Sequence, residues 1–149
     1  MEKNSKIKFT MHITQGGDRS KTEYTTDATF TEKDGKFYLF FDERLDAEEE
    51  ITKCRFEIED DVLRLRRNGP IVLEQLHIKD SKTDGYLKTP FGRMETKTRT
   101  FQFSFVTREN GNYHLDLGYD LYTSDEKTGQ YLLEIIIDTN ITKVRRLRD

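Results

Sequence analysis

Apolar and polar residues alternate with a period of two along most of the chain, and this pattern constrains the fold more than any other feature. The alternation is clearest from Ile7 to Ile13 and from Tyr113 to Leu121. Because successive side chains of a β-strand point to opposite faces, the pattern predicts strands with one buried and one solvated face. No long segment carries the helical period, so we expect at most one short helix, near residues 42–50.

About ten strands are predicted, and turn-forming residues separate them. They cover residues 7–13, 22–33, 37–41, 51–59, 62–67, 71–79, 86–89, 93–108, 112–122 and 130–138. A barrel and a sandwich both fit such strands, but short connections favour an up-and-down barrel, which closes without crossovers and leaves no open edge. We therefore expect an all-β protein, a single antiparallel barrel domain over residues 1–149 with a basic tail at about 139–149.

The hairpin formed by the eighth and ninth strands allows its register to be predicted. A three-residue loop at 109–111, with a left-handed bulge at Gly111, places phenylalanines opposite an inward row of apolar residues. The predicted partners are Phe105 with Leu115, Phe103 with Leu117 and Phe101 with Tyr119.

The same register, if continued, would turn three charged side chains into the barrel. These are Glu95, Lys97 and Arg99. Because unpaired buried charges are costly, we predict a bulge or sharp bend near residues 98–100, beyond which Met94, Thr96 and Thr98 face inward.

Charge and cysteine content exclude several classes of protein. The net charge of −3 argues against a nucleic-acid partner. Cys54 is the single cysteine, so no internal disulfide can form, and this is typical of a reducing compartment. We see no apolar leader and no membrane-length apolar segment, so we expect a cytoplasmic protein without a membrane partner. The sequence leaves monomer and dimer open.

One segment is specific enough to suggest a family. Residues 85–92 read Gly-Tyr-Leu-Lys-Thr-Pro-Phe-Gly, with a corner at Pro-Phe-Gly, and Met94 and a threonine-rich strand follow. With residues 34–39, 64–69 and 117–121, this segment resembles the YwiB-like family of small bacterial proteins of unknown function. The resemblance implies a lipocalin-like (calycin-type) barrel of eight or more strands, and with the strand pattern we expect about 8–10. It implies no catalytic or ligand-binding residues.

No catalytic or metal-binding pattern is visible. His12, His77 and His114 lie on different predicted strands without ligand spacing, so we expect ordinary surface or rim histidines and no metal. Cys54 is expected to be a small buried apolar residue. No nucleophile elbow and no glycine-rich phosphate loop occurs, so we predict no cofactor and no enzymatic activity.

The barrel interior is the remaining candidate site. Its predicted lining combines an apolar wall with a few hydroxyl groups, which is typical of a small-molecule pocket. The candidate residues are Met94, Thr96, Thr98, Phe101, Phe103, Tyr119 and Tyr131. An interior filled by these side chains is slightly favoured over a ligand cavity, and the alternative stays open because barrel volume cannot be computed from sequence. Arg64, Arg66 or Arg99 could supply a cation for an anionic head group if one points to the mouth, but a surface salt bridge is the favoured role for each.

Two functional hypotheses follow. The first is a non-enzymatic barrel that binds a small apolar or amphipathic ligand inside. The alternative is a filled barrel that acts through its surface, where the acidic run at 42–50 or the basic run at 143–148 contacts a protein or RNA partner.

Overall fold

Ten antiparallel strands follow one another around a closed barrel in the computed structural model, which describes residues 2–44 and 50–139. Each strand pairs with its sequence neighbours, and β1 closes the barrel against β10. The strands are β1 (Glu2–Gln15), β2 (Asp18–Lys33), β3 (Lys36–Glu43), β4 (Thr52–Glu59), β5 (Val62–Asn68), β6 (Val72–Ile78), β7 (Lys82–Thr89), β8 (Gly92–Thr107), β9 (Tyr113–Thr123) and β10 (Glu126–Asp138). The predicted all-β up-and-down barrel is confirmed.

Helices are absent from the described ranges 2–44 and 50–139, so no helix there is long and apolar enough to cross a membrane. The short helix expected near residues 42–50 is not found at Asp42 and Glu43, which belong to β3. Residues 45–49 and the basic tail from 140 onward lie outside the described residues.

Strand β7 is longer than predicted, because residues 82–84 pair with β8 and do not form a loop. The alternation is concealed there, since the inward positions carry Thr83 and Gly85 in place of apolar residues. The Thr83 hydroxyl donates to the Leu76 carbonyl and lies 3.1 Å from Thr98 Oγ1, so side chains satisfy polar groups where β6 and β7 separate. The predicted Pro90-Phe91 corner is confirmed, because Thr89 pairs with Gly92 across it.

The predicted β8–β9 loop is confirmed. Phe105 pairs with Leu115, and Phe103 pairs with Leu117. Gly111 has a φ of 86°, and its N–H donates to the Arg108 carbonyl at 2.9 Å. This is the left-handed bulge position that a three-residue hairpin loop requires.

The predicted bulge in β8 is present, but it lies one residue later than expected. Thr100 pairs with Tyr119 and Gln102 pairs with Gly118, which leaves Phe101 as the extra residue. Phe101 therefore points outward over Gly118, where an added Cβ would approach the Phe101 Cε1 atom to 2.7 Å. The bulge also turns the charges outward, as predicted, and all three are exposed: Glu95, Lys97 and Arg99.

The two ends of the barrel differ in what fills them. We call the end with the turns at 34–35, 60–61, 80–81 and 109–111 the closed end, and the end with the turns at 16–17, 69–71, 90–91 and 124–125 the open end. Aromatic rings pack across the closed end, where Phe30 lies 4.7 Å from Tyr113 and Phe37 lies 5.0 Å from Phe105 between ring centroids. Such contacts leave little free volume.

Candidate functional site

A pocket of about 290 Å³ lies inside the open end of the barrel. This volume is near the lower limit of ligand pockets and corresponds to roughly ten water-sized groups. Its apolar wall consists of Phe9, Met11, Ile13, Leu73, Leu87 and Leu121. Its polar lining consists of Thr22, Glu43, Arg67, Gln75, Thr96, Tyr119, Thr123 and Tyr131.

An ion pair between Arg67 and Glu43 lies in the pocket wall. Glu43 continues the inward row of β3, and Arg67 continues the inward row of β5, so strand alternation places both inside. Small residues on the intervening strand, Thr52 and Cys54, pair with Glu43 and Arg67 and allow the long arginine side chain to cross β4. Arg67 Nη2 contacts Glu43 Oε1, and the Tyr24 hydroxyl donates to Glu43 Oε2 at 2.5 Å.

The Arg67 guanidinium keeps hydrogen-bonding capacity that faces the pocket. Burial lowers the pKa of Arg67, while the hydroxyls of Tyr24 and Tyr119 raise it, and a guanidinium remains charged in such surroundings. The Arg67 side chain is 28% exposed, whereas that of Glu43 is 3% exposed. The contact with Glu43 uses one of the five N–H donors that a guanidinium carries, and Arg67 lines the pocket.

Thr96 contributes a hydroxyl that lacks a partner. Its Oγ1 atom is buried and forms no hydrogen bond with any residue in the described ranges. A Cβ added to Gly85 would lie 3.1 Å from this oxygen and 2.4 Å from the Glu74 carbonyl oxygen, so glycine is required opposite Thr96. A buried unpaired hydroxyl costs about 1–3 kcal/mol.

A neutral histidine supports the pocket from within the barrel. His77 Nε2 lies 3.1 Å from Gln75 Oε1, and His77 Nδ1 lies 3.0 Å from Thr100 Oγ1. Burial lowers the pKa of His77 to about 3, so the ring donates to Gln75 and accepts from Thr100. The Tyr119 ring stacks against Tyr131 at 5.0 Å and packs against His77 at 4.6 Å.

Five of the seven predicted lining residues face the barrel interior. Thr96, Tyr119 and Tyr131 line the pocket. Thr98 is buried below it and donates to the Leu76 carbonyl at 3.3 Å, while Phe103 is buried in the core. The sequence pattern therefore identified the inner faces of β8, β9 and β10, but it did not distinguish pocket wall from packed core.

The prediction is wrong for the other two lining residues, Met94 and Phe101, which are exposed. Phe101 is 40% exposed, because the bulge makes it the unpaired outward residue and gives its place to Thr100. Met94 shares the inward phase of its partner Leu87, but it lies near the end of β8 and is 48% exposed. At the end of the barrel, a side chain on the inward face of a strand is no longer surrounded by the other strands, so it stays exposed.

The arginines considered from the sequence lie on the outer wall. Arg64 pairs with Glu57 at 3.4 Å and Arg66 pairs with Glu74 at 3.0 Å, while Arg99 is exposed. Sequence analysis missed Arg67, although the alternation Leu63, Leu65, Arg67 was a usable signal. The same signal was present for Glu43, which follows Leu39 and Phe41 on the inward phase of β3.

The histidine prediction is wrong for His77, which is buried in the core. His12 is exposed, and His114 is half-buried on the outer wall. Cys54 is buried as predicted, and burial, with a contribution from Asp42, raises the pKa of its thiol to about 12. Such a thiol is a poor nucleophile at neutral pH.

Cross-strand pairing also assembles three potential metal ligands on the outer wall, which sequence spacing did not indicate. One ligand atom each from His114, Asp116 and Glu134 lies within 4.8 Å of the others. Arg108 donates to His114 Nδ1, and His114 Nε2 lies 2.9 Å from Glu134 Oε2. These contacts account for the cluster as a charge network, and the Arg108 guanidinium disfavours a cation beside it.

A larger hollow of about 760 Å³ lies on the wall where β2 and β3 diverge, between Tyr24 and Arg44. Its lining is largely polar, and it extends to Arg44, the last described residue before the gap at 45–49. The interior pocket is the better candidate site, because barrel strands surround it and it contains the buried polar groups.

Comparisons with known proteins support the family and the fold. A crystal structure of the ywiB protein from Bacillus subtilis superimposes with a TM-score of 0.79 over 93% of this chain and 92% of that chain, at 19% identity. At this identity the likeness shows the fold alone. No curated protein matches the sequence. The family described as a domain of unknown function (DUF1934) matches residues 7–135, which is most of the chain. The chain therefore belongs to the DUF1934 family, and the resemblance to YwiB-like proteins is confirmed.

Proposed function

We propose that this protein binds a small amphipathic molecule in the pocket at the open end of its barrel. The observation that carries the proposal is the presence of two polar groups in one pocket wall: the Arg67 guanidinium, whose side chain is 28% exposed, and the buried Thr96 hydroxyl, which has no partner in the described ranges. Both groups border a pocket whose remaining wall is largely apolar. Pockets of this composition bind ligands through apolar contact and use a few polar groups for orientation.

The alternative hypothesis, that side chains fill the barrel interior, fits only the closed half of the barrel. Aromatic packing occupies the closed end, and the pocket begins above the level of His77 and Thr100. A barrel filled along only half of its length supports a ligand-binding role of the lipocalin type, in which the interior holds one small molecule.

The proposed role is binding without catalysis. His77 is not part of the pocket wall, and both of its ring nitrogens are engaged by Gln75 and Thr100. Glu43 does line the pocket, and contacts with Arg67 and Tyr24 hold its carboxylate in place. A cytoplasmic location is part of the proposal, since a single buried Cys54 suits a reducing compartment.

Native mass spectrometry of protein purified gently from its own host tests this proposal. We expect an excess mass that disappears on denaturation. Leu73→Trp, which places a large side chain in the pocket wall, should abolish the excess mass. Leu132→Trp makes the same change on the exposed outer wall and should retain it. Wild-type protein without excess mass, and without binding to added amphipathic molecules, would contradict the proposal.

A second candidate function is a surface interaction with a protein partner. It is favoured by an apolar row on the outer wall, where Phe101 covers Gly118 and Gly118 pairs with the exposed Leu132. Replacing Phe101 and Leu132 by serine should abolish recovery of a partner in pull-down experiments while the barrel stays folded. Deletion of residues 143–149 tests separately whether the basic tail contributes, since binding through the tail would be salt-sensitive.

A further inference from the structure

We infer that the pocket selects an uncharged polar head group, one that both accepts and donates hydrogen bonds, over a carboxylate of the same shape. A primary amide on a short apolar tail is the simplest molecule of this class. The inference rests on the proposed function, because it specifies the chemistry of the ligand in the same pocket.

The first argument for an uncharged head group is the charge balance of the pocket. Arg67 and Glu43 are the two charged residues among the described residues that line it, so their charges cancel. A ligand carboxylate beside Arg67 would add a second negative charge close to Glu43, whose side chain is almost fully buried. Like charges in a poorly solvated site repel strongly, whereas an uncharged head group avoids this cost.

The second argument is that the pocket wall contains both hydrogen-bond donors and hydrogen-bond acceptors. Arg67 and Thr96 both line the pocket, so N–H and O–H donors are both present in its wall for acceptors such as an amide carbonyl oxygen. Glu43 accepts one contact at each of its oxygens, from Arg67 and from Tyr24, and each carboxylate oxygen has a further lone pair for a ligand N–H. An alkane leaves the Thr96 hydroxyl unpaired, and a carboxylate provides no donor for Glu43. An amide satisfies both sides.

Pocket size limits the tail. The volume of about 290 Å³ accommodates roughly ten non-hydrogen atoms, by the space that water-sized groups occupy. The tail would lie along Leu73, Leu87 and Leu121. Octanamide has about this number of atoms, and octanoate is its charged isostere, so the two molecules form a matched pair.

Isothermal titration calorimetry of the full chain with octanamide and with octanoate, near pH 8, tests the inference. We expect wild type to bind octanamide about tenfold more tightly than octanoate. Glu43→Gln leaves the Arg67 charge unbalanced and should invert this preference. Glu57→Gln, which removes a carboxylate that pairs with Arg64 on the outer wall, should keep the wild-type preference.

Thr96→Val keeps the test decisive if Glu43→Gln does not fold. It removes the unpartnered hydroxyl with little change in shape, and we expect octanamide affinity to fall about fivefold, as loss of one hydrogen bond predicts. Preference of the wild type for octanoate, or unchanged preference in a folded Glu43→Gln variant, would overturn the inference and leave the binding function standing. Failure of both molecules to bind at millimolar concentration would overturn the inference and the proposed function together.

Discussion

The closed and open ends of the barrel are continuous along the same strands, yet their inner faces have opposite chemistry. At the closed end, Phe30, Phe37, Phe105 and Tyr113 pack together as a ring cluster. At the open end, the inner face carries an ion pair, hydroxyl groups and a pocket. The closed end is therefore packed and the open end contains free volume, and the proposed function assigns ligand binding to the open end.

The polar inner face of the open end is costly for folding. A buried ion pair often contributes less to stability than well-packed apolar residues of similar volume. Thr96 adds an unpaired hydroxyl to this cost. Apolar residues at these positions would stabilise the barrel, so the presence of polar ones favours a role in binding.

The sharpest test of the comparison is the same substitution at both ends. Leu115→Ala removes a fully buried side chain of the closed end and should lower the free energy of unfolding by about 4 kcal/mol. Leu87→Ala, at the pocket wall, should cost only about 1 kcal/mol, because Leu87 is half-buried and already borders free volume. Urea unfolding measures both values. Equal losses would show that the two ends are packed alike.

A smaller effect is expected when the ion pair of the open end is broken. Arg67→Met leaves Glu43 buried without its cation and should cost about 3 kcal/mol of unfolding free energy. Adding Glu43→Gln to Arg67→Met should recover most of this loss. Arg64→Met is the matched control, since its exposed pair with Glu57 should contribute less than about 1 kcal/mol. If Arg67→Met lowered the free energy of unfolding no more than Arg64→Met does, the Arg67–Glu43 pair would contribute no more than an exposed surface ion pair.

The pH dependence of stability tests the boundary between the two ends, where His77 lies. Its pKa is about 3 in the folded barrel and near 6.5 when unfolded, so the unfolded state binds more protons below pH 6.5. The stability that neutral His77 provides is complete above pH 6.5 and is lost as the pH falls towards 3.

We therefore expect wild type to lose about 2 kcal/mol more than His77→Gln between about pH 7 and pH 5. Urea unfolding of both proteins across this range measures the difference, and their stabilities at pH 8 provide the baseline. Parallel pH curves would show that His77 accepts a proton without unfolding the barrel.

Sequence reasoning succeeded where the physical constraint was local. Period-two alternation predicted the strands, and the cost of turning Lys97 and Arg99 inward predicted a bulge in β8. The position of that bulge was wrong by one residue, and the error moved Phe101 from the interior to the surface. A one-residue change in a strand exchanges its faces, so side-chain placement next to a bulge is the least predictable part of a sheet.

The pocket was harder to predict because its polar groups come from strands far apart in the sequence. Alternation alone places Glu43 and Arg67 on inward faces, but it does not show that they meet across β4. Their contact depends on the small residues Thr52 and Cys54 between them. Likewise, the missing partner of Thr96 becomes evident only when its neighbours in space are known.

Local alternation and turn chemistry therefore predicted the antiparallel strands and most of their inward rows and favoured an up-and-down barrel, because strand faces and tight turns depend on residues close in sequence. Tertiary packing decided that the barrel is filled at one end and hollow at the other. It also brought Arg67 to Glu43 and left Thr96 unpaired. These outcomes depend on the volume enclosed by strands that are distant in sequence, and volume is a property of the assembled barrel.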